Sequence, residues 1–483
     1  MAVLSQLEPK AVFEYFEKLC SVPHGSHDTK RISDLCVSFA QELGLRYRQD
    51  EVNNVIIWKD ASPGYEGADP IILQGHIDMV CVKTEDSPKD MSKEGLDLVT
   101  DGEWVWADRT SLGGDNGIAV SMILAILADG GLPHPPLEAV FTVDEEVGMD
   151  GAFALDCSDL KGKKLVNLDS EEEGVFTVSC AGGVRLDCFL PGEWEPVSEG
   201  AAYLVALDGL LGGHSGAEIH KGRASANQMM VRALYSAMER CPGLQLGGIR
   251  GGRFDNVICS KNEAVVWVPA EQAETFEAFV REFDAALKNE YAGCDDGISL
   301  TCRRGALMDG AMTRGSTERV LRTMLVIPQG VQAMNVDFPG LVQTSLNLGV
   351  VETEREGVRF SISVRSCIAS QKAMMVQRLR AILAMGGGTV SERSDYPGWQ
   401  YARQSALRED MLAAYREVSG REGAIEATHG GLECGLFIEK IPGLDAISMG
   451  PELHDVHSVK ERLSVPSTQR VYEVVRYFLE RSR

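Results

Sequence analysis

The chain has 483 residues, 44% hydrophobic and 24% charged, the composition of a globular protein rather than a disordered, collagen-like or coiled-coil one. That length exceeds one ordinary core, so two domains are expected. Lysine and arginine number 47 against 71 acidic residues, a net charge of −24 that argues against nucleic acid or any other partner held through its phosphates.

The opening segment, MAVLSQLEPKAVFEYFEKLC, reads as an amphipathic helix without the basic start and apolar run of a signal peptide. Helical periodicity continues to about residue 45, broken at Pro23–Gly25. Short apolar runs at Val55–Trp58, Ile71–Leu73, Ala139–Val143 and Leu165–Leu168 predict buried strands, and Asn116–Asp129 predicts a buried helix among them. Strands alternating with helices predict an α/β domain with a largely parallel sheet. After about residue 184 the pattern changes. Arg185–Leu190, Tyr203–Leu207, Ala264–Val268 and Val358–Val364 alternate as half-exposed strands do. Amphipathic helices are expected near Ser225–Glu239, Ala273–Tyr291, Thr317–Met324 and Gln371–Met385, the last stopped by Gly386–Gly388. From about Gly398 the pattern returns to helix, strand and helix. The expected organisation is a discontinuous α/β domain, 1–184 and 397–483, with an α+β domain, 185–396, inserted in it.

No stretch of about 18 apolar residues occurs, so no membrane span is expected. The 12 cysteines show neither a CxxC pair nor a disulfide-rich spacing, which predicts buried thiols and a reducing cytoplasm.

The chemistry concentrates at predicted strand ends, where ligands gather in open α/β sheets. His76 follows a strand, and Asp78, two residues on, faces the same way on extended backbone and can influence its ring. Asp115 follows Gly113-Gly114 at a helix start, where it either caps the helix or joins a site. Glu145 and Glu146 adjoin each other beyond an apolar strand, an arrangement costly to desolvate without a cation or proton. Asp169 is the first acidic residue beyond the next strand, with Glu171, Glu172 and Glu173 more exposed. In the tail, His457 or His454 can close a second metal position, and position in the motif favours His457. His76, Asp115, Glu146, Asp169 and His457 together would supply nitrogen and carboxylate donors for two metal ions sharing a carboxylate.

The segments GHIDMV, SLGGDNGIAV, FTVDEEVGMDGA, LVNLDSEEEG, GLLGGHSGAEIHKGR, GLECGLF and GPELHDVHS, in this order, resemble the co-catalytic zinc aminopeptidase-like hydrolases. Within them the resemblance is to the aminoacyl-histidine dipeptidase family, also called Xaa-His or cytosol non-specific dipeptidases. It implies a discontinuous zinc-aminopeptidase-like catalytic domain with an inserted lid and dimerisation domain, and hence a homodimer. It implies a dipeptide substrate and two divalent metal ions, zinc first, with manganese or cobalt as alternatives. Asp115 would bridge the metals, His76 and Asp169 completing one position and Glu146 and His457 the other. Glu145 would be the general base and Asp78 would orient the site. His214 would stabilise the oxyanion, Asn256 would contact substrate, Arg365 would hold the substrate carboxylate and Glu433 would lie near its amino group.

Ser225, Cys259 and Val459 depart from the family's usual asparagine, proline and proline, which bears on lid packing and substrate preference rather than on the ligands. His24, His27, His134, His220 and His429 read as surface, capping or supporting residues, and Arg223 as structural. The competing activities are N-acyl-amino-acid amidohydrolase and tripeptidase with the same metal site. A non-catalytic metal- or peptide-binding protein is the competing class, and the presence of Glu145 argues against it.

Overall fold

Two stretches of sequence with different hydrophobic periods build two different sheets. The computed structural model describes residues 3–197, 199–306 and 308–483. Met1 and Ala2, which begin the expected amphipathic segment, lie outside them. The chain forms two compact units, Met1–Ser179 with Tyr401–Ala427 and Leu432–Arg483, and Cys180–Gln400 with Thr428–Gly431.

The first unit contains an eight-stranded sheet. Its strand order is Arg46–Gln49, Val55–Lys59, Leu137–Thr142, Ile71–His76, Lys164–Asn167, Asp445–Ser448, Val175–Cys180 and Ala424–Thr428. Leu137–Thr142, Ile71–His76, Lys164–Asn167 and Asp445–Ser448 are mutually parallel. Antiparallel pairing takes over on either side, at Val55–Lys59 and at Val175–Cys180, so only the centre of the sheet is parallel. Every residue of Ile71–His76 and Leu137–Thr142 is buried, which is why each contributes an apolar run, Ile71–Leu73 and Ala139–Phe141. In register, His76 lies opposite Thr142, and both Gln74 and Ser448 lie opposite Asn167. The carboxyl ends of the four strands therefore finish along one edge.

The helix Gly114–Ala128 is apolar on all sides and buried almost throughout. It packs close to the sheet and to the helix Lys10–Cys20: a Cβ on Gly75 would come 2.5 Å from Asn116 Oδ1, and one on Gly117 would meet the Phe16 ring at 3.3 Å. The first helix begins only after Pro9, whose ring pre-sets the turn into it. A small antiparallel sheet joins Leu453–His454, Arg462–Ser464, Trp104–Ala107 and Leu98–Thr100, and residues 455–461 form the connection that carries His457.

The second unit is a nine-stranded antiparallel sheet. Gly182–Pro191, Gly200–Asp208 and Asn262–Pro269 alternate buried and partly exposed residues along their length. Their buried faces join the helices Ala226–Arg240, Ala273–Glu290, Arg314–Leu325 and Ala369–Met385 in one core. This is the α+β arrangement expected of the inserted segment. No disulfide forms among the described residues, and most cysteines are buried. No helix of the described residues is long and apolar enough to cross a membrane.

Gly75→Ala forces its methyl group into Asn116 and is expected to cost about 1–3 kcal/mol in urea unfolding. An unchanged midpoint would contradict this close approach of strand and helix.

Candidate metal centre

His76 ends its strand with 1% of its surface exposed. Its Nδ1 is 3.0 Å from the Asp78 backbone oxygen, so a neutral ring donates there and keeps the Nε2 lone pair available. That Nε2 is 3.1 Å from Asp115 Oδ1 and 3.4 Å from Asp169 Oδ1. Asp169 follows the neighbouring parallel strand, whose register places it beside His76.

Asp115 reaches the same point from the start of the buried helix. Gly113 takes a left-handed turn, with φ of +66°, just ahead of it. Asp115 itself is extended rather than helical, so its carboxylate projects into the centre instead of capping the helix with a side-chain bond. Its Oδ2 is 3.2 Å from His457 Nε2, which also lies 2.8 Å from Glu146 Oε1. His454 turns elsewhere, pairing with Glu452 at 3.1 Å and packing edge-on against Trp104. Potential ligating atoms of His76, Asp115 and Glu146 all lie within 4.8 Å of one another.

The charges at this centre are mutually coupled. Burial alone would raise the Asp115 proton affinity, but hydrogen bonds from His457 and His76 hold its carboxyl well below the usual range. The same bonds, from Asp115 and Glu146, push His457 up to about 10. Burial opposes charge on His76, yet Asp169 and Asp115 raise it well above its ordinary value. Burial lifts Asp169 to about 6, His76 only partly offsetting it. Burial likewise lifts Glu145 well above the usual carboxylate range, His76 opposing and Asp169, Glu433 and Glu146 adding to the rise. Imidazole and carboxylate are the donors that zinc, manganese and cobalt accept, so the residues present fit a divalent metal.

Asp78 lies beside the His76 ring, where the sequence reading put it, and also holds backbone that the sequence did not indicate. Its carboxylate lies 3.4 Å from His76 Nδ1, accepts the Ser26 hydroxyl at 2.8 Å, and accepts the backbone N–H groups of Glu145 at 3.1 Å and Glu146 at 3.4 Å. It therefore fixes both the imidazole and the glutamate pair. Glu145 itself enters neither histidine pairing among the described residues. Glu433 is enclosed: Gln74 Nε2 and the Thr142 hydroxyl donate to its Oε2 at 2.6 and 2.8 Å, while its Oε1 has no partner. Burial lifts this carboxyl to about 7.

Two further residues escaped the sequence reading. Asn116 accepts the His76 N–H at 3.2 Å and donates to the Leu168 carbonyl at 2.9 Å, tying together the backbones that carry His76 and Asp169. Glu461 accepts backbone N–H bonds from the turn ahead of Asp115.

His214, Asn256 and Arg365 belong to the second unit. The strand Gly213–His214 pairs with Val257–Ile258, and Asn256 accepts the Ser215 N–H, so His214 and Asn256 are neighbours. His214 Nδ1 accepts the Ala217 N–H at 3.0 Å, so a neutral ring carries its proton on Nε2. Burial and then the Arg365 charge favour that neutral form. Arg365 donates to the Tyr396 hydroxyl at 3.2 Å, and its Nε is buried without a partner.

An imidazole–carboxylate centre at the strand ends of a mixed sheet, with a separate antiparallel α+β unit, defines a metallopeptidase class, and comparisons narrow it. The family described as the peptidase dimerisation domain matches residues 205–294. The chain is 35% identical over 481 residues, 99% of each sequence, to the cytosol non-specific dipeptidase of Escherichia coli (strain K12). It matches the crystal structure of an aminoacylhistidine dipeptidase from Vibrio alginolyticus with a TM-score of 0.93 and 34% identity, covering 99% of this chain and 98% of the other. The aminopeptidase PepT from Bacillus cereus, 16% identical with a TM-score of 0.57 and 98% of each chain covered, shares the fold. The chain belongs to the aminoacyl-histidine dipeptidase (cytosol non-specific dipeptidase) family.

The charge pattern sets a pH dependence. A group whose folded pKa is raised stabilises the fold at low pH and loses that contribution as the pH passes its folded value. Asp169 moves from 3.8 to about 6, Glu433 from 4.5 to about 7 and His457 from 6.5 to about 10. The buried histidines whose values are lowered, His429 to about 3, act in the opposite sense below about pH 6.5, so the metal-stripped protein should lose stability from about pH 7 to about pH 10, where His457 titrates, and a divalent cation should raise the melting temperature most towards the alkaline end. Thermal unfolding with and without metal tests this; a stripped protein that gains stability across the window would contradict it.

Proposed function

We propose that this protein is a metal-dependent dipeptidase acting on unblocked dipeptides, Xaa-His (carnosine-like) types included. The observation that carries the reading is Asp115: His76 and His457 meet its two oxygens from separate parts of the chain, while Glu145 stays outside both pairs. The proposed donors are His76 and Asp169 for one ion, Glu146 and His457 for a second, and Asp115 for both. Zinc suits this donor set, with manganese and cobalt as alternatives.

Two divalent ions would supply Lewis acidity, easing deprotonation of water and polarising the scissile carbonyl. The Glu145 carboxylate takes the proton of the attacking water and delivers it to the leaving amine. Asp78 keeps the His76 ring and the backbone of the glutamate pair in place. The Nε2–H of His214 is the proposed oxyanion donor, with Asn256 as a further substrate contact. The Arg365 guanidinium is the proposed partner of the substrate's carboxylate, its unpaired Nε being one donor still to be satisfied. Glu433 is the proposed acidic partner for the amino group, because one of its oxygens lacks a donor.

The dimerisation-domain match lies wholly in the second unit and supports a homodimer formed through it. A cytosolic location accords with the name of the Escherichia coli relative.

The experiment is hydrolysis by chelator-stripped and metal-restored protein of β-Ala-His, Gly-His, Leu-Gly, a tripeptide and an N-acetyl amino acid. Metal-dependent cleavage confined to the free dipeptides is the expected result. Cleavage of the N-acetyl compound would assign an amidohydrolase instead, and no cleavage by metal-loaded protein would assign a binding protein. Glu145→Ala should keep fold and metal while kcat falls about 10²–10⁴-fold; retained turnover would place the base elsewhere. Arg365→Ala should chiefly weaken substrates with a free C-terminal carboxylate. An equal loss on a C-terminally amidated dipeptide would remove that role.

A further inference from the structure

Four residues beyond His457, a second acidic side chain is committed entirely to backbone. Glu461 is 2% exposed. Its Oε2 accepts the N–H groups of Leu112 at 2.7 Å and Gly113 at 3.1 Å, and its Oε1 accepts that of Gly114 at 2.8 Å and lies 3.4 Å from that of Asp115. These groups lead into the buried helix, where backbone donors have no partner within the helix itself. The turn is closely packed: a Cβ on Gly114 would come 2.7 Å from Leu453 Cδ2 and 3.3 Å from Glu461 Oε1. The turn is not helical at Asp115, so its shape comes from outside the helix.

Burying a carboxylate within hydrogen-bond distance of the Asp115 backbone adds negative charge beside a centre already rich in it. A serine or threonine would cap a helix start without that repulsion. What a carboxylate adds is two oxygens that grip successive N–H groups at once. The connection 455–461 thus presents His457 at one point and clamps the backbone of its partner Asp115 at another.

We propose that Glu461 is a positioning residue for the reaction centre, holding the Leu112–Asp115 turn so that the Asp115 carboxylate stands between His76 and His457. The inference rests on the ligand assignment above. The Glu461 carboxylate meets the backbone N–H groups of Leu112–Asp115, so it acts through Asp115.

Glu461→Gln is the test, because it preserves shape while replacing one acceptor oxygen by an NH₂ group that faces N–H donors. Affinity for Zn²⁺, measured by chelator competition on the full-length protein, should fall about 10–100-fold, as for other residues that orient metal ligands. Turnover at saturating Zn²⁺ should fall in kcat with KM little changed. In the metal-free variant the amides of 112–115 should exchange with solvent faster than in the metal-free wild type, a readout that needs no activity. Thr313→Ala is the control: it removes the cap of the helix Arg314–Leu325 in the second unit, where the Thr313 side chain accepts the Ser316 N–H, and should lower the melting temperature without changing Zn²⁺ affinity. Wild-type Zn²⁺ affinity and kcat in Glu461→Gln would overturn the proposal, as would a lowered melting temperature alone. Asp115→Asn separates this outcome from failure of the ligand assignment. If Asp115→Asn loses Zn²⁺ and Glu461→Gln does not, only the positioning role fails. If Asp115→Asn keeps Zn²⁺, the ligand assignment itself fails.

Discussion

Asp115 is a buried carboxylate faced by two imidazoles, His76 from a strand end early in the chain and His457 from a connection near its end. A carboxylate in that setting is stable only if its charge is matched, and the surrounding structure is arranged to match it. The parallel register of Ile71–His76 and Lys164–Asn167 brings Asp169 to the same imidazole. The antiparallel pair Leu453–His454 and Arg462–Ser464, joined to Trp104–Ala107, brings His457 to the other side. The glycines before Asp115 let the backbone turn so that its side chain enters the centre rather than capping the helix.

That arrangement has an electrostatic consequence. Two histidines hold protons more tightly than usual while Asp169 and Glu145 resist losing theirs. Divalent cations would replace the histidine protons and relieve the carboxylate crowding together. Glu145 is set apart from its neighbour Glu146 by pairing: His457 takes Glu146, and Asp78 fixes the backbone of both. Adjacent glutamates are thereby given different environments, which suits the proposed division into one ligand and one base.

Much of this was legible in the sequence because the chemistry sits at the ends of buried strands. The short runs Ile71–Leu73, Ala139–Val143 and Leu165–Leu168 located the strands Ile71–His76, Leu137–Thr142 and Lys164–Asn167, and the polar residues after them are the ones brought together. Other features left no such trace. Glu461 meets backbone N–H groups more than 340 positions away, and a side chain that binds backbone has no partner residue type to give it away. Asn116 works in the same manner on the His76 and Leu168 backbones. In the second unit the strand Val342–Glu354 slips register between Leu348 and Val350, around Gly349, which breaks the alternation a strand otherwise shows. Gln245–Gly251 is hidden similarly, its paired glycines interrupting the alternation where the structure has a bulge.

The account stands on one carboxylate shared between two metal positions. Anomalous diffraction at the zinc edge from crystals loaded with Zn²⁺ measures this directly. It should show two ions flanking Asp115, one within ligand distance of His76 and Asp169 and the other of His457 and Glu146. A single ion, or two ions that do not share Asp115, would contradict it.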